Sequence, residues 1–416
     1  MNAVDKRIKF GIVGTGGIFY GWGDGSGHLP GCPWVVEEAR LTAICDLNKS
    51  SLKKAAAAIK KLYMEKAETH RANGCEDVAD LLIADSETLK LYAGMDEMLK
   101  AEKLDFVDII TPCEHHSSAV KKSLDASCNV LCEKPLARTW LESEEIARNV
   151  EKSGKVFLYG ENLIYADPYR DIKKLVQKGE IGELEAVWIP FSISEPGNYS
   201  YTNGGVGALL DNGIHAITLA WFIVGFDYVP KRVKSLAPDG VATRIKNRVV
   251  NGVMRELNVE DYANFVIEFE HPETGHWVNT YLEASWSFDD TGVFKVIGNK
   301  GEIRIKEGRI TIEDQFGNSH VRNIFHPGFL NMEPPPGYGG HPQQLKAMIS
   351  LVKEKAAPLC NAKTGSESLA IAQAVYLSEA KGKKAVTLDE FKEYAKKFGK
   401  NPEALLHELL KNGVRK

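Results

Sequence analysis

The sequence lacks the features that would set it apart from ordinary globular chains. No apolar run approaches the ~20 residues that a membrane-spanning helix needs. Neither charge sign dominates: 52 Lys and Arg stand against 56 Asp and Glu, for a net charge of -4. Such a chain has no basic field to hold nucleic acid or anionic lipid, so neither is expected as a partner. Its seven cysteines (Cys32, Cys45, Cys75, Cys113, Cys128, Cys132 and Cys360) are odd in number, scattered, and form no Cys-x-x-Cys pair. That excludes a disulfide framework and a paired-cysteine metal knuckle, and the thiols read as reduced structural residues. Repeats and low-complexity tracts are missing as well. The opening Met1-Asn2-Ala3-Val4-Asp5-Lys6-Arg7 has no apolar core of a secretory signal, so a cytoplasmic location is expected.

What the chain does have is material for two domains: 416 residues, 44% hydrophobic and 26% charged. The first part alternates apolar strands with helices. Strands are expected at 8–13, 41–46, 106–111, 129–132 and 156–159, and helices at 51–66, 78–101, 116–126 and, opened by Pro135, through Val150. Near-continuous Val/Ile/Leu runs between helices mark a parallel sheet covered on both faces. The rhythm then changes. A helix over 168–177, a strand near 184–193 and a helix over 211–224 precede strands near 262–270, 276–286, 291–296 and 301–305, with turns at Asn299-Lys300-Gly301 and Lys306-Glu307-Gly308. The fold class is therefore α/β: a doubly wound parallel sheet, then an α+β domain with a large, mainly antiparallel open sheet. The expected spans are 1–160, 161–386 and a helical extension over 387–416, where Thr387-Leu388-Asp389-Glu390 forms a capping box and Asn401-Pro402 starts a last helix.

The first strand runs directly into Gly14-Thr15-Gly16-Gly17-Ile18. Glycines here let the backbone turn sharply and approach a pyrophosphate, while the next helical turn offers amide protons. Phe19 occupies the third glycine position of the dinucleotide fingerprint, and the insertion Gly21-Trp22-Gly23-Asp24-Gly25-Ser26-Gly27 follows before His28. Asp46 closes the second strand, where a carboxylate can accept from both adenosine ribose hydroxyls and repel a 2′-phosphate. NAD is the expected cofactor; Lys49 and Lys53 leave NADP open, and a helix cap is the plainer role for Asp46.

Two further constellations carry chemistry. Thr111-Pro112 with His116, and Glu133-Lys134-Pro135, stand at the ends of later parallel strands, where a nicotinamide ring would lie. The proline restricts Lys134 to an extended conformation, from which its ammonium can donate to a substrate oxygen or relay a proton. In Asp211-Asn212-Gly213-Ile214-His215, helical spacing puts Asp211 and His215 on one face, so that the carboxylate can orient a ring titrating near neutrality. The glycines of Gly204-Gly205-Val206-Gly207 supply an approach loop. A metal is not expected, since no third ligand sits at diagnostic spacing.

These residues resemble the family of glucose–fructose oxidoreductase, inositol dehydrogenase and MocA-like proteins. The resemblance rests on Gly11-Ile12-Val13-Gly14-Thr15-Gly16-Gly17-Ile18, Thr111-Pro112 with His116, Glu133-Lys134-Pro135, Lys178-Gly179-Glu180-Ile181-Gly182-Glu183-Leu184, Gly207 to His215 and Val296-Ile297-Gly298-Asn299-Lys300-Gly301. It implies an N-terminal Rossmann domain and a C-terminal α/β domain whose open sheet joins subunits as a homodimer or homotetramer. It also implies that Lys134, Asp211 and His215 are catalytic, that Glu133 and the Thr111-Pro112 turn contact cofactor, and that Glu161 and Asn162 reach the ring. Tyr165, Asn198, Tyr199 and His341 are candidate substrate contacts. The expected activity is hydride transfer between a secondary alcohol of a sugar or cyclic polyol and the nicotinamide. The alternatives are a glycosidase that oxidises its substrate transiently and a cofactor-sensing regulator without catalysis.

Overall fold

Six short segments pair in parallel along one sheet: β1 (Ile8–Val13), β2 (Ala39–Cys45), β3 (Lys90–Tyr92), β4 (Phe106–Ile109), β5 (Asn129–Glu133) and β6 (Phe157–Gly160). Their order, β3-β2-β1-β4-β5-β6, is the doubly wound order with its reversal between β1 and β4. This computed structural model describes residues 5–21, 26–192, 206–250, 252–287, 292–306, 309–323, 339–399 and 401–413. Asn198, Tyr199, Gly204, Gly205 and the turn at 307–308 lie outside the described residues. No helix among them is long and apolar enough to cross a membrane.

Two compact units emerge. The first comprises Met1–Leu136, Glu145–Ala166 and Pro327–Lys363; the second comprises Ala137–Glu144, Asp167–His326 and Thr364–Lys416. The described residues 339–363 thus pack with the first sheet, although they fall inside the contiguous 161–386 span expected from sequence. Their helix His341–Glu354 contributes Leu345, Met348 and Ile349 to the core that holds Phe10, Ile12, Phe19 and Phe106. In that core the rings of Phe10 and Phe106 stack at 5.0 Å across neighbouring strands.

Two helical expectations need correction. In place of one helix over 78–101 the chain makes helix Glu76–Thr88, the edge strand β3, and helix Met95–Ala101 beginning after Gly94. A strand of three partly exposed residues leaves too little apolar alternation to interrupt a helical pattern read from sequence. The helix after Pro135 begins only at Trp140. A capping box sets that start: Thr139 N–H donates to Glu142 Oε2 at 3.0 Å and Glu142 N–H to Thr139 Oγ1 at 3.4 Å. The Lys134–Pro135 peptide is cis.

The second unit is built on a larger mixed sheet. Its strands are β7 (Leu184–Ser192), β8 (Val229–Ser235), β9 (Val241–Ala242), β12 (Tyr262–Glu270), β13 (Trp277–Ser285), β14 (Phe294–Gly298), β15 (Gly301–Lys306), β16 (Arg309–Asp314), β17 (Ser319–Asn323) and β18 (Val386–Thr387); β10 (Asn247–Val250) and β11 (Val253–Glu256) form a separate hairpin. Only β7 and β13 pair in parallel; the other pairings are antiparallel. Strands β8, β9, β16, β17 and the helix Ala362–Ala380 had no counterpart in the sequence reading. Helix Ile214–Val224 is buried on all sides and apolar but for His215 and Thr218. At the chain end the Thr387 hydroxyl accepts from Glu390 N–H at 3.1 Å, and Asn401 Oδ1 from Ala404 N–H at 3.0 Å.

Replacing Phe10 by Ala removes a fully buried ring and its stacked partner's contact. The unfolding free energy is expected to fall by roughly 3–5 kcal/mol, read as a lower denaturant midpoint with an unchanged slope.

Candidate functional site

In the first unit, the ends of the parallel strands gather most of the residues singled out from sequence. Gly14 follows β1, Asp46 follows β2, Thr111 and Pro112 follow β4, Glu133 and Lys134 close β5, and Glu161 and Asn162 follow β6. Gly14 has φ +102°, and a Cβ there would meet the Ile110 carbonyl oxygen at 2.8 Å, so no other residue fits. Gly16 and Gly17 are exposed, with nothing within 4 Å of the place a Cβ would take. That open backbone, beside the start of the short helix Gly17–Tyr20, suits the approach of a pyrophosphate. Phe19 turns inward and is fully buried.

Asp46 ties this turn to the second strand. Its Oδ2 accepts from Thr15 N–H at 2.8 Å and Thr15 Oγ1 at 2.6 Å, and its Oδ1 from Asn48 N–H at 2.8 Å. The cap of helix Lys49–Ala72 is Asn48, which accepts from Ser50 and Ser51. A carboxylate has about four acceptor positions and three are taken, so Asp46 keeps capacity for one ribose hydroxyl while it holds the glycine turn.

His116 is placed differently from expectation. It is buried, with Nε2 2.8 Å from Thr111 O and Nδ1 3.2 Å from Leu136 O. Burial pushes its pKa down, with the facing carbonyls opposing. It clamps the β4 turn to the segment after Pro135, and both ring nitrogens face backbone rather than a cofactor. Glu161 and Asn162 are buried too. Glu161 Oε1 accepts from Leu163 N–H at 3.2 Å, and Asn162 Nδ2 donates to the Gly339 carbonyl. Tyr165 is half-buried against the core of this unit.

Lys134 is half-buried at the end of β5. Its backbone N–H donates to Glu133 Oε2 at 3.0 Å. The other carboxylate oxygen, Oε1, faces His28 Nε2 at 3.0 Å, and His28 Nδ1 faces Asp108 Oδ2 at 2.6 Å. His341 joins them rather than standing as a surface contact: its Nε2 is 3.8 Å from Glu133 Oε1, and its Nδ1 accepts from Gly27 N–H at 3.2 Å. Sequence reasoning missed His28, and the only signal for it was its place at the end of the glycine-rich insertion.

In the second unit the helix bearing Asp211 and His215 starts with a π-helical turn, Leu209–Gly213, before Ile214–Val224 continues as α-helix. Such turns recur at functional sites. Both side chains are largely buried, and the His215 ring stacks on Phe191 at 5.3 Å. A second missed residue, Glu260, supports the helix start: its Oε1 accepts from Leu209 N–H at 3.1 Å and from the Tyr376 hydroxyl at 2.6 Å. A Cβ at Gly207 would overlap this carboxylate. Burial raises the Glu260 pKa from 4.5 to about 7, the hydroxyl and amide donors offsetting it only in part.

A parallel sheet of this order, with an open glycine turn after the first strand and an acid after the second, is a dinucleotide-binding domain. The chain belongs to the glucose–fructose oxidoreductase, inositol dehydrogenase and MocA family: residues 8–161 match its NAD-binding Rossmann domain and residues 173–388 its C-terminal α/β domain. It is therefore an NAD-binding oxidoreductase of that family. The oxidoreductase YrbE of Bacillus subtilis is 25% identical over 55% of this chain and 63% of its own length. The myo-inositol 2-dehydrogenase of Thermotoga maritima is 22% identical over 92% of this chain and 99% of its own. Among solved structures, levoglucosan dehydrogenase with NADH and levoglucosan shares the fold at a TM-score of 0.68 and 18% identity, over 92% of this chain and 100% of that one.

The raised Glu260 carboxyl has a measurable consequence. A group whose folded pKa exceeds its unfolded value adds stability fully below about pH 4.5, and that stability is lost as pH rises through about 7. Between pH 5 and pH 8 the native protein should lose on the order of 1–3 kcal/mol relative to Glu260→Gln. Chemical denaturation of both proteins at the two pH values measures it; a pH-independent difference would show that Glu260 does not titrate there.

Proposed function

We propose that the protein oxidises a secondary alcohol of a sugar or cyclic polyol with NAD, or reduces the corresponding carbonyl. The observation that carries this reading is the strand-end arrangement of the first unit, where an open glycine turn, Asp46 and Lys134 share the edge at which doubly wound sheets bind their ligands. The polyol and sugar dehydrogenases among the relatives support the substrate class. Gly14 to Ile18 would cradle the pyrophosphate and Asp46 the adenosine ribose, with Thr111-Pro112, Glu133, Glu161 and Asn162 bounding the nicotinamide end. Bound NAD supplies the hydride acceptor at C4 of its ring.

The remaining work falls to the chain. His215 takes the hydroxyl proton as its C–H bond breaks, and Asp211 orients the imidazole. Lys134 donates to the substrate oxygen and stabilises the charge that develops on it. His116 takes no direct part; it keeps the β4 turn in place. Tyr165 and Asn198 are assigned to substrate contact. His341 is withdrawn from that role because it is buried against Glu133. The reading includes a cytoplasmic protein that assembles as a dimer or tetramer through the second sheet. There Trp188 stacks on Tyr281 at 4.4 Å and Trp277 is 42% exposed.

Screening inositols, aldoses and glycosides with NAD and NADP for reduced-nicotinamide absorbance identifies the substrate. With it, Lys134→Ala should lower kcat at least ~100-fold, the scale of a lost proton-transfer or oxyanion donor, with NAD affinity within several-fold. Full turnover in that variant sinks the mechanism, and release of an aglycone without net NADH sinks the dehydrogenase reading.

A further inference from the structure

Four titratable groups form a buried row in the first unit that the proposed proton transfers do not use. Asp108 comes from β4, His28 from the end of the insertion, Glu133 from β5 and His341 from the start of its helix. They arrive from four segments of sequence, and none is more than 5% exposed. His28, Glu133 and His341 offer ligand atoms within 4.8 Å of one another, which raises the question of a metal.

The hydrogen bonds answer it differently. Gly27 N–H donates to His341 Nδ1, so the proton of that neutral ring sits on Nε2, the nitrogen turned toward Glu133. His28 lies between two carboxyl groups, 2.6 Å from Asp108 and 3.0 Å from Glu133; burial raises the Asp108 pKa and His28 opposes that, and with both acids ionised each ring nitrogen carries a proton. Protons, not lone pairs, therefore converge on Glu133 Oε1. Burial opposes the charge on His28, but Asp108 and Glu133 overcome it and hold its pKa up at about 10. Burial likewise opposes the Glu133 charge, and His28 brings that carboxyl down to about 2. Near neutral pH both stay ionised. Among the described residues, the His341 ring at 5.2 Å between centroids and the Cys32 thiol, which donates to the His28 carbonyl, also face His28.

We propose that His28 is a positioning residue for Lys134: its imidazolium, paired with Asp108 and Glu133, fixes the Glu133 carboxylate against the Lys134 amide and so sets the direction in which β5 presents the lysine. The inference rests on the role given to Lys134 above. The link is short, because the carboxylate that accepts from His28 through Oε1 accepts from Lys134 N–H through Oε2. Without the imidazolium two buried carboxylates would face each other, and one must take a proton or turn away. Either change loosens the residue that carries the ammonium.

The test uses His28→Gln and Asp108→Asn, each alone and with Lys134→Ala, on the best substrate among myo-inositol, glucose and p-nitrophenyl glucoside. Each single variant should lose roughly 10- to 100-fold in kcat, the scale of a small misplacement of a catalytic group. Because Glu133 also bounds the nicotinamide end, kcat is compared at saturating NAD, which separates the lysine's direction from any change in cofactor affinity. In the Lys134→Ala background, single-turnover rates at high enzyme should show less than about a twofold further loss, because the residue acts through the lysine. Imidazole ¹⁵N spectra should show one ring, absent from His28→Gln, doubly protonated at pH 8. Should His28→Gln fail to fold, Asp108→Asn keeps the shape and the acceptor and carries the kinetic comparison.

Unimpaired kcat in the folded variants overturns the inference. So does an equal loss with and without Lys134, or a neutral His28 at pH 8. If Lys134→Ala itself keeps full turnover, the proposed mechanism fails instead, and the spectra still report whether His28 is an imidazolium.

Discussion

Parallel strands all end on the same edge, and that constraint governs what the first unit can do. Gly14, Asp46, Thr111, Lys134 and Glu161 are far apart in sequence, yet each follows a strand that runs in the same direction. Topology alone would deliver them only as loops, which move. Here each loop is fastened by its own polar contact. Thr15 bonds to Asp46, His116 faces the carbonyl of Thr111, Glu133 is held by His28, and Glu161 accepts from Leu163 N–H. The edge is thereby held in place by side chains, so its loops have less conformational freedom left to lose when a cofactor binds.

The parts of this edge that were legible in sequence are those whose physics is local. A strand buried on both faces must be an unbroken apolar run, which is why β1, β4 and β5 could be read almost residue by residue. Gly14 was legible because φ and close packing both demand glycine. The edge strand β3 was not, since three residues beside a single neighbour need no strong pattern. Nor were the partners of His28 and Glu260. Their contacts join segments whose separation in sequence carries no periodicity, and a lone histidine or glutamate in a sequence says nothing of what it faces. His341 shows the same limit from the other side: its type suggested a substrate contact, and its neighbours make it part of a buried row. Asp46 is not the helix cap offered as its plainer role, since Asn48 caps that helix; its carboxylate braces the glycine turn instead.

Glu133 and Glu260 make the role of neighbours plain. Both are buried glutamates, and burial alone would raise both. Glu133 faces an imidazolium and is brought down to about 2; Glu260, with a hydroxyl and amide donors on one side and the Asp261 carboxylate near by, rises to about 7. A helix N-terminus favours a carboxylate, but by little compared with a full neighbouring charge. The two acids therefore do different work. At β5 a fixed ion pair sets direction, because charges in a low-dielectric interior resist displacement. At the start of the helix that bears Asp211 and His215, a carboxyl near its titration point supplies hydrogen bonds without a permanent charge.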